Sequence, residues 1–472
     1  MGLVQARTPR CWPAAADDVA ARLIRAIALQ RADAWARQVA FEIACDAAAS
    51  VPCVWLEVSP GGTMADCGSG GRFQSFFQEA LERAIPLSVH WDLTWRCDHK
   101  CVHCYLVDRH QDELSLAEGI GLLDQLAEAG VLSILFSGGD PFLRPDAADL
   151  MEAARARDFD VKINTHGNFI DDALADRLAA MGVHRVALSV YSDEAPDHEA
   201  VTLIPGSHQK TLDAARRLVA RGVKVAFKTP VMLHNRASWH RVGAVAASIG
   251  ATWEIDGHIV PDDESDFGLC QIGVHPTERI LALLQAARDR VPEAAPIDQL
   301  PDTPSDRRTC SAGTVSGYIS PHGQLLACIN WREPIGDLRT HGFRELWYDN
   351  PAVDRLRAIR RSTYLQDCGG CTFHGKCNYC PGLSHAETGD AGRRSPYVCE
   401  RTHVTMSAME HLDRLRVAGQ PVPVPGTPEA AALFDAPPTF ADRQWAARRA
   451  GMARPSDRLA PGLVQIHDPR PR

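Results

Sequence analysis

The first residues whose type and spacing point to chemistry are Cys97, Cys101 and Cys104, in the stretch WDLTWRCDHKCVHCYL (91–106). Three residues and then two separate successive thiols. A structural zinc site takes four ligands, normally as two separated pairs, and a ferredoxin-type cluster takes a fourth cysteine nearby. This loop offers three. A four-iron cluster held by three thiolates keeps one iron open, so that a substrate or cofactor can bind the metal directly. The loop alone leaves a zinc site, or cysteines that merely cluster, as alternatives. A second concentration lies downstream: Cys310 and Cys328, then Cys368, Cys371, Cys377, Cys380 and Cys399.

Composition says which compartment these thiols occupy. The chain has 472 residues, 45% apolar and 23% charged, which is ordinary for a folded protein with a main domain and smaller ones. A net charge of −9 with interspersed signs argues against nucleic acid as the principal partner. The N-terminal stretch MGLVQARTPRCWPAAADDVAARL lacks the apolar core of a signal peptide, and no apolar run is long enough to span a membrane. A cytoplasmic protein without a membrane partner is expected. In a reducing cytosol, clustered cysteines read as metal ligands, not disulfides.

The elements that must position the loop are legible in the middle of the chain. Strand candidates are LSVHWDL (87–93), LSILFS (132–137), FDVKINT (159–165), RVALSV (185–190), VKVAFKT (223–229) and TWEID (252–256), with amphipathic helices between them. One helix, 115–130, has Ser115 as its N-cap and Gly130 as its stop. Six such units predict an α/β fold with a parallel sheet closed, or partly closed, into a barrel with right-handed crossovers. Chemistry in such barrels sits at the carboxyl ends of the strands, and the cysteine loop directly follows the first one.

At this point the residues carry a resemblance. The spacing Cx3Cx2C followed by the aromatic Tyr105 is similar to the signature of the radical S-adenosylmethionine (SAM) enzymes. The resemblance implies a [4Fe–4S] cluster whose open iron chelates S-adenosylmethionine. One-electron reduction then gives a 5′-deoxyadenosyl radical that abstracts hydrogen from the substrate. Gly138, Gly139, Asp140 and Pro141, after the second strand, resemble the family's GGEP motif, whose backbone holds the cofactor's amino group; the two glycines would let that backbone approach closely. By the same resemblance Asn164 and Thr165, Ser189 and Tyr191, and Lys228 line the cofactor cleft. The ordinary reading of a lone Ser or Lys at a strand end is a surface or capping residue.

The downstream cysteines resemble the seven-cysteine SPASM extension, which binds one or two auxiliary [4Fe–4S] clusters. Twelve residues separate Cys310 from Gly323 and four more lead to Cys328, in an apparent hairpin with Gly323 at its turn; then come CGGCTFHGKCNYC (368–380) and Cys399. One departure is that only Asn378 and Tyr379 separate Cys377 from Cys380, where the pattern has three residues. The resemblance implies that Cys368, Cys371, Cys377 and Cys399 hold one cluster completely. Cys310, Cys328 and Cys380 would hold the other one ligand short, with Cys270 or a substrate group completing it. A zinc ribbon is the alternative reading of CGGC and CNYC.

SPASM relatives mature sulfatases, pyrroloquinoline quinone and mycofactocin precursors, thioether peptides and the crosslinked subunit of quinohemoprotein amine dehydrogenases. The resemblance thus implies a peptide or protein substrate, modified by a crosslink, thioether, oxidation or epimerisation, and an electron donor such as flavodoxin or ferredoxin. Sulfatase maturation uses an Asp directly after the second SPASM cysteine; here Ile329 and Asn330 follow Cys328, so no catalytic base is assigned. Tailoring of a haem-type tetrapyrrole is the alternative within the superfamily, and an iron–sulfur electron carrier without radical chemistry is the alternative outside it.

Domains are expected at 1–86 (an N-terminal α+β extension, a peptide-binding module or a cap), 87–290 (a partial (β/α)6 barrel), 291–405 (the auxiliary domain) and 406–472 (a Pro-rich tail, largely extended or disordered). Cys11, Cys45, Cys53 and Cys67 lack ligand-like spacing and read as buried thiols.

Overall fold

The structure, a computed structural model, describes residues 71–106, 112–288 and 302–435. The helix and strand read in 17–59, the four N-terminal cysteines and the tail beyond 435 lie outside them. Six parallel strands, β1 (Ser88–Thr94), β2 (Ser133–Gly138), β3 (Asp160–Thr165), β4 (Arg185–Ser189), β5 (Val225–Pro230) and β6 (Thr252–Asp256), pair in sequence order. Helices cover the outer face. The helix Leu116–Ala129 shows how locally this is encoded: Glu118 N donates to Ser115 Oγ, Ser115 N donates back to Glu118 Oε2, and Gly130 ends the helix at φ 90°.

Alternation along the strands sorts the side chains. Val89, Trp91, Leu93, Phe136, Ile163, Val186, Leu188 and Phe227 are buried in the main core beneath the helices. The pairing register puts His90, Asp92, Ser137, Lys162, Asn164, Ser189, Lys228 and Glu254 on the opposite face. A polar inner face is costly to bury, so the sheet is built around an inner space that receives something polar.

Beyond the sixth unit the structure exceeds the sequence reading. β7 (Ser316–Ile319) pairs parallel to β1, and β8 (Gln324–Leu326) and β9 (Gly336–Asp337) follow antiparallel, so one sheet of nine strands runs β6-β5-β4-β3-β2-β1-β7-β8-β9. The expected hairpin is β7–β8, with Gly323 at φ 87°, and it extends the barrel's own sheet.

The expectation of an extended tail from residue 406 is corrected for the described part. The helix Pro396–Val417 runs straight through that boundary, and the helix Pro428–Asp435 follows. Ile280, Leu284, Val404 and Ala408 are buried together, with Leu412, Val422 and Leu433 against them. The prolines start helices here instead of preventing them, since an N-terminal Pro lacks only an N–H that the first turn cannot use. Among the described residues, no helix is long and apolar enough to cross a membrane.

Candidate metal and cofactor site

The loop bearing Cys97, Cys101 and Cys104 leaves β1 and is pinned by backbone. Lys100 N donates to Thr202 O (3.1 Å), Val102 N to Val201 O (2.9 Å) and Cys104 N to Cys101 O (3.0 Å). Val102 and Tyr105 pack on the buried Tyr191, Val201, Met232, Ile259, Leu269 and Ile272. The Tyr191 hydroxyl, 3.4 Å from His103 Nε2 and 4.0 Å from Cys101 Sγ, also bonds Ser189. Burial, reinforced by the nearby Cys101, holds that phenol well above its usual range.

The segment 138–141 docks against the same loop. Gly139 N donates to Thr94 O (2.8 Å) and Asp140 N to Arg96 O (3.0 Å). A Cβ on Gly138 would lie 2.0 Å from Thr94 O, and one on Gly139 would lie 2.3 Å from Arg96 O and 2.6 Å from Trp95 O. The close approach that the two glycines permit here is to the cysteine loop's own backbone. Asp140 is fully buried; it accepts from Phe142 N (3.0 Å) and His166 N (3.0 Å) and from the Thr165 hydroxyl, so its carboxylate joins the ends of β2 and β3. Pro141 opens the short turn that Asp140 caps. Asn164 Oδ1 is buried without a partner on the inner face. Lys228 stays 40% exposed, 4.0 Å from Glu254, next to Ser189 in register.

Sequence reasoning passed over the histidines around the loop. His166, directly after Thr165, stacks on His99 at 3.8 Å and lies 2.8 Å from Asp98 and 3.2 Å from Asp140. Burial opposes charge on His166, but Asp140, Asp98 and Cys97 outweigh it and push the imidazole up to about 10. Burial drives His99 down to about 3 and His103 down to about 4. The sequence signal was present in CDHKCVHC and THGN, three histidines beside the motifs, yet nothing local tied the two segments together.

Downstream, Cys368, Cys371, Cys377 and Cys399 line one pocket, together with His374, Tyr379, Arg394 and Thr402. The Thr402 hydroxyl is 3.2 Å from Cys377 Sγ, and burial raises the Cys377 thiol to about 11. Cys310, Cys328 and Cys380 form a second group: burial, then the neighbouring thiols, raise Cys310 to about 12 and Cys328 further. Cys270 packs on Leu383, Tyr397 and Val398 as Cys380 does, but its thiol donates to Ile259 O at 3.3 Å. Desolvated thiols of this kind favour thiolate only when a metal supplies the compensating charge.

Donor spacing tests what could be held. Tetrahedral zinc with bonds of about 2.3 Å draws its sulfurs to about 3.8 Å apart. Among the described residues the one set of three candidate ligand atoms within 4.8 Å is Cys97, Asp98 and His166; none of the cysteine groups converges that tightly. Thiols that do not converge to zinc spacing fit iron–sulfur clusters better than a structural zinc. None of the eleven described cysteines is in a disulfide.

The wall facing the cysteine loop comes from the downstream segment. Arg332 lies 5.6 Å over the Tyr105 ring, and Tyr318 and Trp95 donate to the buried Asp92 at 2.7 and 3.1 Å. At the end of β6, Asp256 keeps 63% of its side chain accessible, with His258 Nδ1 3.6 Å from its carboxylate. His258 Nε2 is buried there without a partner.

Comparison with known proteins follows this geometry. The radical SAM superfamily model matches residues 92–246, and the SPASM iron–sulfur cluster-binding model matches 310–372. The chain is similar to the PqqA peptide cyclase of Xanthomonas euvesicatoria pv. vesicatoria (29% identical, over 75% of this chain and 98% of that one). It is also similar to the AdoMet-dependent heme synthase of Nitratidesulfovibrio vulgaris (24%, over 65% and 90%) and to mycofactocin maturase MftC of Mycobacterium tuberculosis (27%, over 63% and 79%). Among solved structures, SuiB of Streptococcus suis bound to precursor peptide SuiA superposes with a TM-score of 0.53 at 15% identity, over 77% of this chain and 89% of that one. That last likeness speaks to the fold alone.

Proposed function

Because the chain belongs to the radical SAM superfamily and carries a SPASM iron–sulfur domain, we propose that it is a peptide-modifying radical enzyme. Cys97, Cys101 and Cys104 hold a [4Fe–4S] cluster with one iron open. S-adenosylmethionine bound at that iron supplies the reductive cleavage by which hydrogen is taken from the substrate. The observation that carries this reading is the donor set: three spread thiols at the carboxyl end of β1, facing a polar inner strand face.

The chain's residues then divide the work. Gly138 and Gly139 let the second motif lie against the cysteine loop, and Asp140 ties it to β3. Asn164, Ser189 and Lys228 offer polar atoms to the cofactor from the inner face, while Val102, Tyr105 and Tyr191 keep water from the loop. Cys368, Cys371, Cys377 and Cys399 hold one auxiliary cluster, and Cys310, Cys328 and Cys380 a second with a vacant or exchangeable position. Bound there, such clusters would supply an acceptor for the electron left on a product radical, and the partner expected is an electron donor such as flavodoxin or ferredoxin. A peptide substrate is supported by similarity to PqqA peptide cyclase and mycofactocin maturase. Similarity to heme synthases supports a tetrapyrrole substrate as a second reading.

The test is anaerobic. Protein reconstituted with iron and sulfide, reduced with dithionite and given S-adenosylmethionine is expected to form 5′-deoxyadenosine, and Cys97→Ala is expected not to. About twelve irons per chain correspond to three four-iron clusters and about eight to two. No 5′-deoxyadenosine from iron-replete wild type rejects the reading. Mass spectrometry of candidate precursor peptides against iron-coproporphyrin then decides between the two substrates.

A further inference from the structure

The radical-cluster reading leaves one buried donor unexplained. His166 is 7% exposed and clamped on several sides: it stacks on His99, meets Phe169 with ring centroids 5.6 Å apart, and its Nδ1 accepts from Asn168 N at 3.1 Å. Asn168 is itself fixed, bonding His99 through Nδ2 (2.9 Å) and accepting the Thr211 hydroxyl through Oδ1 (3.0 Å). Because Nδ1 accepts, the ring hydrogen of the neutral imidazole sits on Nε2; the cation would carry one there as well. Nε2–H is therefore a donor in either state.

That donor has no well-directed acceptor. Asp98 and Asp140 lie 2.8 and 3.2 Å away, but Nε2 makes no hydrogen bond of proper geometry to either. Asp140 already takes Phe142 N, the Thr165 hydroxyl and His166 N, and Asp98 is 41% exposed. The remaining acceptor is the Cys97 sulfur, within 4.8 Å of an imidazole nitrogen and approached on another side by His99 N at 3.4 Å. A buried donor left unpaired is costly, and a cluster thiolate carries the charge that would satisfy it.

We propose that His166 donates a hydrogen bond through Nε2 to the Cys97 sulfur and, as a positioning residue, raises the reduction potential of the radical cluster. The inference rests on the reading of Cys97, Cys101 and Cys104 as its ligands. Donors to cluster sulfurs favour the reduced, more negative state. A charge-assisted bond lost from the reduced form should lower the ratio of reduced to oxidised cluster about tenfold at a fixed potential, which is about 59 mV for a one-electron couple.

The experiment is an EPR-monitored redox titration of full-length reconstituted protein. It follows the signal that S-adenosylmethionine perturbs and that Cys97→Ala removes. His166→Phe keeps a flat ring against His99 without a donor; His166→Gln keeps an N–H that can reach the sulfur. We expect a fall of about 59 mV in His166→Phe and a potential near wild type in His166→Gln. An unmoved potential in both, or an equal fall in both, overturns the inference, since the first denies any influence and the second assigns it to charge or packing. Should His166→Phe fail to fold, pulsed EPR of wild type grown on 15N-histidine reads the bond directly. A coupled histidine nitrogen that His166→Gln removes supports the inference, and its absence overturns it. If no signal answers to both S-adenosylmethionine and Cys97→Ala, the ligand reading itself fails and the inference falls with it.

Discussion

Replacing Arg279 by methionine should destabilise the protein by about 3–5 kcal/mol, the cost of stripping one partner from a buried ion pair. Arg279 is 4% exposed and Glu400 1%. The guanidinium donates to Glu400 Oε1 through Nη2 and to Val274 O through Nε at 3.0 Å, joining the helix Pro276–Arg288 to the helix Pro396–Val417. Without the cation, the carboxylate stays where water cannot hydrate it. An exposed cluster such as Arg177 with Asp149 and Glu152 should lose no more than about 1 kcal/mol when cut. The double variant Arg279→Met/Glu400→Met removes the stranded charge and should recover most of the loss. Urea unfolding of anaerobic protein, followed by circular dichroism, measures each step. The reasoning fails if the single variant costs under about 1 kcal/mol, or if the double variant is as unstable as the single one. Cys399 directly precedes Glu400, so iron bound per chain should fall in the single variant and return in the double.

Other outcomes follow from the same geometry. Gly139→Ala forces a methyl against two backbone oxygens and should cost about 1–3 kcal/mol together with most S-adenosylmethionine cleavage; Gly121→Ala, in a helix with open space around it, should stabilise by about 0.5–1 kcal/mol, and equal effects in urea unfolding would refute the contrast. Cys371→Ser should lower bound iron by about four per chain while dithionite-driven formation of 5′-deoxyadenosine persists; loss of all iron would contradict separate sites. Stability should fall by a few kcal/mol as pH drops from about 6.5 to 4, because His103 and His258 titrate near 4 when folded and near 6.5 when unfolded, so the unfolded chain takes up protons first. A flat unfolding free energy across that window, or no shallower slope in His103→Gln, would refute it.

Local grammar explains what the sequence made legible. Alternating apolar runs located all six barrel strands to within two residues, and Ser115 and Gly130 marked a helix at both ends. The four cysteines 368, 371, 377 and 399 were grouped by the resemblance to the SPASM extension and line one pocket. What escaped is non-local. The parallel pairing of Ser88 with Ser316 has no turn between the strands to announce it. The Arg279–Glu400 pair joins residues 121 positions apart, and a buried ion pair reads in sequence as two ordinary surface charges. His166 meets the cysteine loop only because β3 ends beside it; a lone histidine after a strand carries no period. The tail was misread because proline content was weighed without noticing that Pro428, like Pro396 before the tail, stands where a helix begins.

The pairing of β7 with β1 has a practical consequence for anyone who would dissect this protein. β1 is an interior strand, flanked by β2 and β7, and it carries the cysteine loop. Truncation near residue 290 would not release a self-contained barrel. It would bare the backbone of Ser88–Trp91 along one side as an open edge, a template for other chains, and would remove Trp347, whose indole donates to Ala84 O. The two iron-binding halves are thus one covalent and one hydrogen-bonded object, and chimeras that exchange the C-terminal half between relatives should aggregate unless β7 to β9 stay with their own β1.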